Sequence, residues 1–186
     1  MTTFSCVMVG NESLLVECAK VLVQRGHEIR TIASRNADII AWAGTAGIPV
    51  VAPGAGLEAR LTPGFDWLFS IANLSVLSEA VLSMATKGAV NFHDGPLPRY
   101  AGLNAPVWAL INGERQHGIT WHLIEAEVDA GDIVEQVLFD ITEDDTAFSL
   151  NARCYASGID SFPAVVAALE SGNPTRRKQN LSQRTL

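Results

Sequence analysis

The sequence predicts an α/β fold in three layers, doubly wound around a mostly parallel sheet of about seven strands, with one strand antiparallel. Three observations predict it. Short apolar runs alternate with segments of helical period from Phe4 to Ile111, the pattern of strand–helix–strand units. Gly or Pro punctuates most of the junctions. The last two strand-like stretches, Gln116–Glu125 and Asp132–Asp140, are joined by a link too short for a crossover, so they pair antiparallel.

Phe4–Val9 reads as a buried strand ending at Gly10, and Leu14, Leu15, Cys18, Val21 and Leu22 repeat at helical spacing up to the Arg25-Gly26 cap. His27–Ala33 is the next strand, Asn36–Ala46 the next helix, and Ile48–Val51 a short third strand. Gly and Pro make residues 52–63 a loop, with one helical turn at Leu57–Leu61. Asp66–Ala72 is a strand and Ser78–Met84 a short helix capped by Ser78. The run Gly88–His93 is apolar until it ends in polar groups, and Leu103–Ile111 is helical. Thr142–Gly172 carries an apolar face (Leu150, Cys154, Ile159, Val165, Val166, Leu169), with a kink expected at Pro163. Residues 1–172 are therefore expected to form the catalytic domain, and 173–186 a polar, basic linker or tail.

With 186 residues, 48% hydrophobic and 18% charged, the chain has the makings of one compact domain with a substantial core. No apolar run reaches membrane-spanning length, and Met1-Thr2-Thr3 brings no basic leader region. Cys6, Cys18 and Cys154 are widely spaced and odd in number. They fit neither a zinc site nor a disulfide framework, so no metal and a cytoplasmic setting are expected. The formal charge of −7 disfavours a nucleic-acid partner. Only one glycine, Gly10, stands at the first strand–helix turn, followed by Asn11-Glu12-Ser13. A dinucleotide fingerprint needs three glycines there, and Glu12 repels a phosphate.

The stretch from Asn91 to Asp132 concentrates the chemistry. Asn91 and His93 lie two apart on a strand and so share a face, with Phe92 turned to the core. An imidazole moves protons near neutral pH, an amide N–H donates to an oxygen that gains charge, and a carboxylate, Asp129, orients the imidazole and favours its protonated form. No Ser or Cys adjoins His93, so the set reads as acyl-type transfer without a covalent enzyme intermediate. A strand-end His paired with a carboxylate for structural reasons is the alternative on these residues alone.

Four ordered motifs go further: Asn91-Phe92-His93-Asp94-Gly95-Pro96-Leu97-Pro98, Tyr100-Ala101-Gly102, Gly118-Ile119-Thr120-Trp121-His122, and Val128-Asp129-Ala130-Gly131-Asp132-Ile133. Together they resemble the N-terminal catalytic domain of folate-dependent formyltransferases, and the feel is closest to the formylation domains of nonribosomal peptide synthetases. The resemblance implies a Rossmann-like formyltransferase fold and 10-formyltetrahydrofolate as donor. It implies Asn91, His93 and Asp129 as catalytic groups, with His122 supporting them. It places the donor's pterin against Leu74, Ser75, Val76 and Leu77, which act largely through backbone, and against Ile124. The loop after His93 departs from the commoner His-Pro-Ser or His-Gly-Ser. Asp94 is either a second carboxylate near the imidazole or a turn residue before Gly95. The phosphate-holding loop of glycinamide ribonucleotide formyltransferases is missing at Gly10, as is the C-terminal barrel of methionyl-tRNA formyltransferases.

The expected function is formyl transfer to a primary amine, first of all an aminoacyl group on a carrier protein. A sugar-amine formyltransferase and a donor hydrolase are the enzymatic alternatives, and a catalytically idle docking domain is the alternative of another class. A complete small enzyme and an N-terminal piece of a longer one both remain open.

Overall fold

The computed structural model describes residues 2–174 and 176–186; Met1, where the expected catalytic domain begins, and Thr175, in the expected tail, lie outside the described residues. Its strands are β1 (Ser5–Val9), β2 (Glu28–Ala33), β3 (Val50–Val51), β4 (Phe65–Ser70), β5 (Ala85–His93), β6 (Gln116–Leu123) and β7 (Ile133–Asp140). The helices are α1 (Ser13–Gln24), α2 (Ala37–Thr45), α3 (Glu79–Leu82), α4 (Ala105–Ile111) and α5 (Ala147–Glu170). The strands form a seven-stranded sheet in the order β3-β2-β1-β4-β5-β6-β7. β1 pairs parallel with β2 and β4, β2 with β3, and β4 with β5, whereas β6 and β7 are antiparallel. The predicted α/β sheet with one antiparallel pair is the observed one.

The chain divides into two compact units, Met1–Asn91 with Glu170–Gly172, and Phe92–Leu169 with Asn173–Leu186. In the first, β1 is buried along its whole length, as a central strand covered on both faces must be. Leu14, Leu15, Cys18 and Leu22 of α1, and Phe65, Leu68 and Phe69 of β4, are likewise buried. Gly10 ends β1 where a Cβ would lie 2.0 Å from the Ile71 carbonyl oxygen. Its smallness lets two chain segments meet, which accounts for a lone glycine at that turn. Asn36 caps α2 by accepting from the Asp38 and Ile39 N–H groups, and Ser78 caps α3 by accepting from Val81 N–H.

In the second unit Trp121 of β6 is fully buried. It meets Phe92 at 5.0 Å and Phe162 of α5 at 5.1 Å between ring centroids, and its indole N–H donates to Ser161 Oγ at 3.0 Å. Tyr100, Ala105, Ala109 and Leu150 pack as a cluster beneath the loop that follows β5. Several expectations shift at their edges, α5 and α3 among them. α5 begins at Ala147 and not at Thr142, because Asp145 folds that segment into a turn, accepting from Thr142 N–H at 2.8 Å. α3 is a single short helix that stops at Leu82, with Met84 already outside it.

In the first unit Glu170 is an anchor. Its carboxylate takes Arg25 Nη2 at 2.6 Å and His27 Nε2 at 2.9 Å. His27 Nδ1 accepts from Phe4 N–H at 3.1 Å, so the ring proton sits on Nε2 and donates to Glu170. The Arg25 hydrogen bond, aided by His27, holds the Glu170 carboxyl below the usual carboxylate range against the opposing effect of burial. Replacing Glu170 by Ala strands the buried His27 N–H. Glu170→Ala is therefore expected to cost about 2–4 kcal/mol in urea unfolding; a loss under about 0.5 kcal/mol would show that this anchor carries nothing.

Candidate active site

The site is built on the end of β5. Phe92 turns toward Trp121 and Tyr155, with centroids at 5.0 and 6.2 Å, so strand alternation directs Asn91 and His93 to the opposite face. Asn91 is half-buried and in register with Ser70 of β4, in the first unit. His93 belongs to the second unit and is 5% exposed.

His93 is held by its Nε2, which donates to the Tyr100 carbonyl at 2.6 Å. The approach depends on Gly95, where a Cβ would sit 2.7 Å from that Nε2. A carbonyl can only accept, so the Nε2 proton is committed and Nδ1 is left to gain and lose a proton. Nδ1 faces Asp129 Oδ2 at 3.6 Å and Asp94 Oδ1 at 4.0 Å. Both separations exceed a hydrogen bond, so the attraction is electrostatic in this geometry and a bridging water is the natural proton path.

Asp129 lies in the turn between β6 and β7 with φ +54°, a left-handed conformation that Asp tolerates better than most residues. Gly131 follows because a Cβ there would fall 1.9 Å from the Leu123 carbonyl oxygen. Asp129 Oδ2 accepts the Gly102 N–H at 2.8 Å, and Oδ1 lies 3.3 Å from His122 Nε2. His122 Nδ1 donates to the Leu123 carbonyl at 2.8 Å. Burial alone would raise the Asp129 carboxyl; the His122 hydrogen bond, the His93 charge and the Gly102 N–H outweigh it and hold it at about 2. Asp129 is thus an ionised carboxylate facing two imidazoles.

The structure brings His93, Asp129, His122 and Asp94 together in the second unit. Ile124, just past β6, is half-buried. In the first unit, Leu74 and Val76 are 81% and 83% exposed, Ser75 is exposed, and Leu77 is half-buried. Asn73 orders that turn: its side chain accepts from Ser75 N–H and donates to the Ser75 carbonyl.

Several supports were not singled out from sequence. Thr120 Oγ1 donates to the Gly95 carbonyl at 2.8 Å and accepts from Leu97 N–H at 3.1 Å and Gln136 Nε2 at 2.9 Å, pinning the loop after His93. Strand alternation puts Thr120 on the His122 face, and Gln136 is its cross-strand partner in the β6–β7 register, so pairing the two strands residue by residue would have found both. His117 Nε2 donates to the Asp94 carbonyl at 2.8 Å, and burial pushes its pKa down.

An imidazole whose Nδ1 faces an ionised carboxylate at the end of a β-strand makes a proton-handling site. A sequence profile described as formyl transferase matches residues 66–166. A methionyl-tRNA formyltransferase from Anaeromyxobacter sp. (strain K) is 32% identical over 167 residues, which is 87% of this chain and 52% of that protein. A GDP-perosamine N-formyltransferase from Brucella melitensis is 31% identical, over 90% of this chain and 70% of that one. Among solved structures, an N-formyltransferase from Helicobacter canadensis in complex with folinic acid and dTDP-3-aminofucose superposes with a TM-score of 0.80 at 20% identity, over 99% of this chain and 71% of that chain. The chain belongs to the formyl transferase family. It spans about half the length of the Anaeromyxobacter relative.

The Asp129 carboxyl gives a signature in acid. Its folded value of about 2 lies below the ordinary 3.8, so its stabilisation is fully present above about pH 4 and is lost as pH falls through about 2. Over that window the parent is expected to lose on the order of 2 kcal/mol more stability than Asp129→Asn. Parallel pH–stability curves for the two proteins would refute the assignment.

Proposed function

We propose that this chain transfers a formyl group from 10-formyltetrahydrofolate to a primary amine, with Asn91, His93 and Asp129 at the reaction and His122 and Asp94 supporting them. The observation that carries the reading is His93 Nδ1, the one ring nitrogen not tied to a carbonyl, facing an ionised Asp129 in a member of the formyl transferase family. The complex of the Helicobacter canadensis enzyme with folinic acid supports the donor class.

The turn at Leu74–Leu77 suits such a donor. Apolar side chains at Leu74 and Val76 stand in solvent on a backbone ordered by Asn73, and a flat ring system with amide-like edges needs apolar contact and fixed backbone groups together. Leu74, Ser75, Val76, Leu77 and Ile124 are the contacts we propose for it. The donor supplies an activated formyl carbon. Asn91 donates its side-chain N–H to the formyl oxygen as negative charge develops there. His93 holds a proton at Nδ1, adds its positive charge beside that oxygen, and passes the proton on toward the leaving nitrogen. Asp129 favours the protonated ring and, through water, relays the proton that the attacking amine loses. His122 and the Gly102 N–H keep Asp129 ionised and aimed.

The acceptor we propose is an aminoacyl group on a carrier protein of a nonribosomal peptide synthetase. Two features support it: the His93-Asp94-Gly95-Pro96 loop, and Leu103, Val107, Trp108 and Ile111, exposed apolar side chains on and before α4 in the same unit. A second reading, an amino sugar as acceptor, is favoured by the GDP-perosamine N-formyltransferase relative. Three buried free thiols suit the reducing cytoplasm we propose as its compartment. Among the described residues no helix is long and apolar enough to cross a membrane. The catalytic body we propose is residues 1–172.

Release of tetrahydrofolate, measured in single turnover with no acceptor, with amino sugars and with aminoacyl carrier proteins, tests the reading. Acceptor-dependent release is expected, slowed by roughly 10²–10⁴-fold in His93→Ala and by about 10²–10³-fold in Asn91→Ala with little change in melting temperature. Release that needs no acceptor would mean hydrolysis. No release and no folate binding by calorimetry would leave a recognition domain.

A further inference from the structure

The polar segment from Arg176 to Leu186 makes specific contacts in the second unit. Arg177 pairs with Ile133 through both backbone hydrogen bonds, at 2.8 and 2.9 Å, where β7 begins. Gln179 Nε2 donates to the Asp129 carbonyl at 2.8 Å and to the Gly131 carbonyl at 2.7 Å. Arg184 Nη2 donates to the Val128 carbonyl at 2.7 Å, and its Nη1 pairs with Glu127. Thr185 reaches the loop after β5: its Oγ1 accepts from Tyr100 N–H at 2.8 Å, its carbonyl from Ala101 N–H at 2.9 Å, and its N–H donates to the Pro98 carbonyl at 3.3 Å. The segment thus ties down both loops that meet at His93, one through Tyr100, whose carbonyl holds Nε2, and one through Asp129.

We propose that Gln179 is a positioning residue: its amide, held in place by the strap from Arg177 to Thr185, fixes the turn from which the Asp129 carboxylate reaches His93. The inference rests on the formyl-transfer reading above. A left-handed conformation at a non-glycine residue costs on the order of 1 kcal/mol and persists only where its surroundings over-determine it. The two hydrogens of one NH2 group, shared between the carbonyls of residues 129 and 131, bracket the peptide unit that joins Ala130 to Gly131. The orientation of the amide is set by its partners, since two carbonyls leave only the NH2 end able to face them. Its other end shows what that orientation costs: Gln179 Oε1 is buried without a hydrogen-bond partner among the described residues, a penalty that the two bonds to the turn offset. The carboxylate set by this turn also accepts the Gly102 N–H, so that amide reports the carboxylate's position independently of turnover.

The test uses the full chain with Gln179→Leu, which removes both donors at similar volume, and Arg184→Met, which loosens the same turn through Val128. Two readouts are taken, hydrogen exchange of the Gly102 amide and the split of kcat from KM. In Gln179→Leu, Gly102 exchange is expected to rise about tenfold or more while amides of β6 stay protected. kcat is expected to fall by roughly 10–100-fold with the donor KM within about twofold. Arg184→Met is expected to move both readouts the same way by less. Unchanged Gly102 exchange in Gln179→Leu, or exchange rising equally along β6, overturns the proposal, since the second pattern is general destabilisation. Faster Gly102 exchange with parental kcat overturns it too. Where the parent itself transfers no formyl group, the proposed reaction falls and the exchange arm alone decides whether Gln179 places the carboxylate.

Discussion

One ionised carboxylate governs the geometry of this protein's candidate site. Asp129 gathers the Gly102 N–H, His122 Nε2 and the charge of His93 around two oxygens, and that company keeps it deprotonated in spite of burial. An unpaired carboxylate in such a place would neutralise itself by taking a proton. Every neighbouring feature serves the pairing. Gly95 and Gly131 clear space at 2.7 and 1.9 Å from a neighbouring atom, Thr120 pins the loop after His93, and Trp121 anchors β6 between the two flanking positions. The antiparallel turn from β6 to β7 is where a mostly parallel sheet can present a carboxylate on a short, stiff connection.

Much of this was legible in the sequence because it rests on short-range patterns. Periods of two and of helical spacing, together with Gly and Ser/Asn caps, located β1, α1, β2, α2 and β6 within a few residues, and the short link before Asp132 gave the antiparallel pair. Asn91, His93, Asp129 and His122 stood out by residue type, by spacing and by family resemblance. The atoms that hold them did not. Tyr100 and Gly102 act through backbone groups, which no side-chain identity announces. Gln136 and Gln179 act across 16 and 50 residues of sequence, and amide side chains are common on any polar surface. The start of α5 was misread for a related reason. Thr142–Asp145 has acceptable helix composition, yet an Asp that bonds back to the backbone wins locally.

Shared family membership and divided acceptors fit the same physical logic. The proposed reaction asks one imidazole, one amide and one carboxylate to act together, which works only at well-defined separations. Loops, by contrast, tolerate substitution as long as the strands beneath them stay in register. In this chain Asp94 and Gly95 directly follow His93, and their carbonyls are held by His117 and Thr120. Gly95 is not free to change, since a Cβ there would meet the imidazole at 2.7 Å.

Thr185 has a further consequence for the loop that follows β5. Its backbone is bonded to Pro98 and Ala101 and its hydroxyl accepts from Tyr100 N–H, so fraying at Thr185 would be felt by the imidazole that the Tyr100 carbonyl holds.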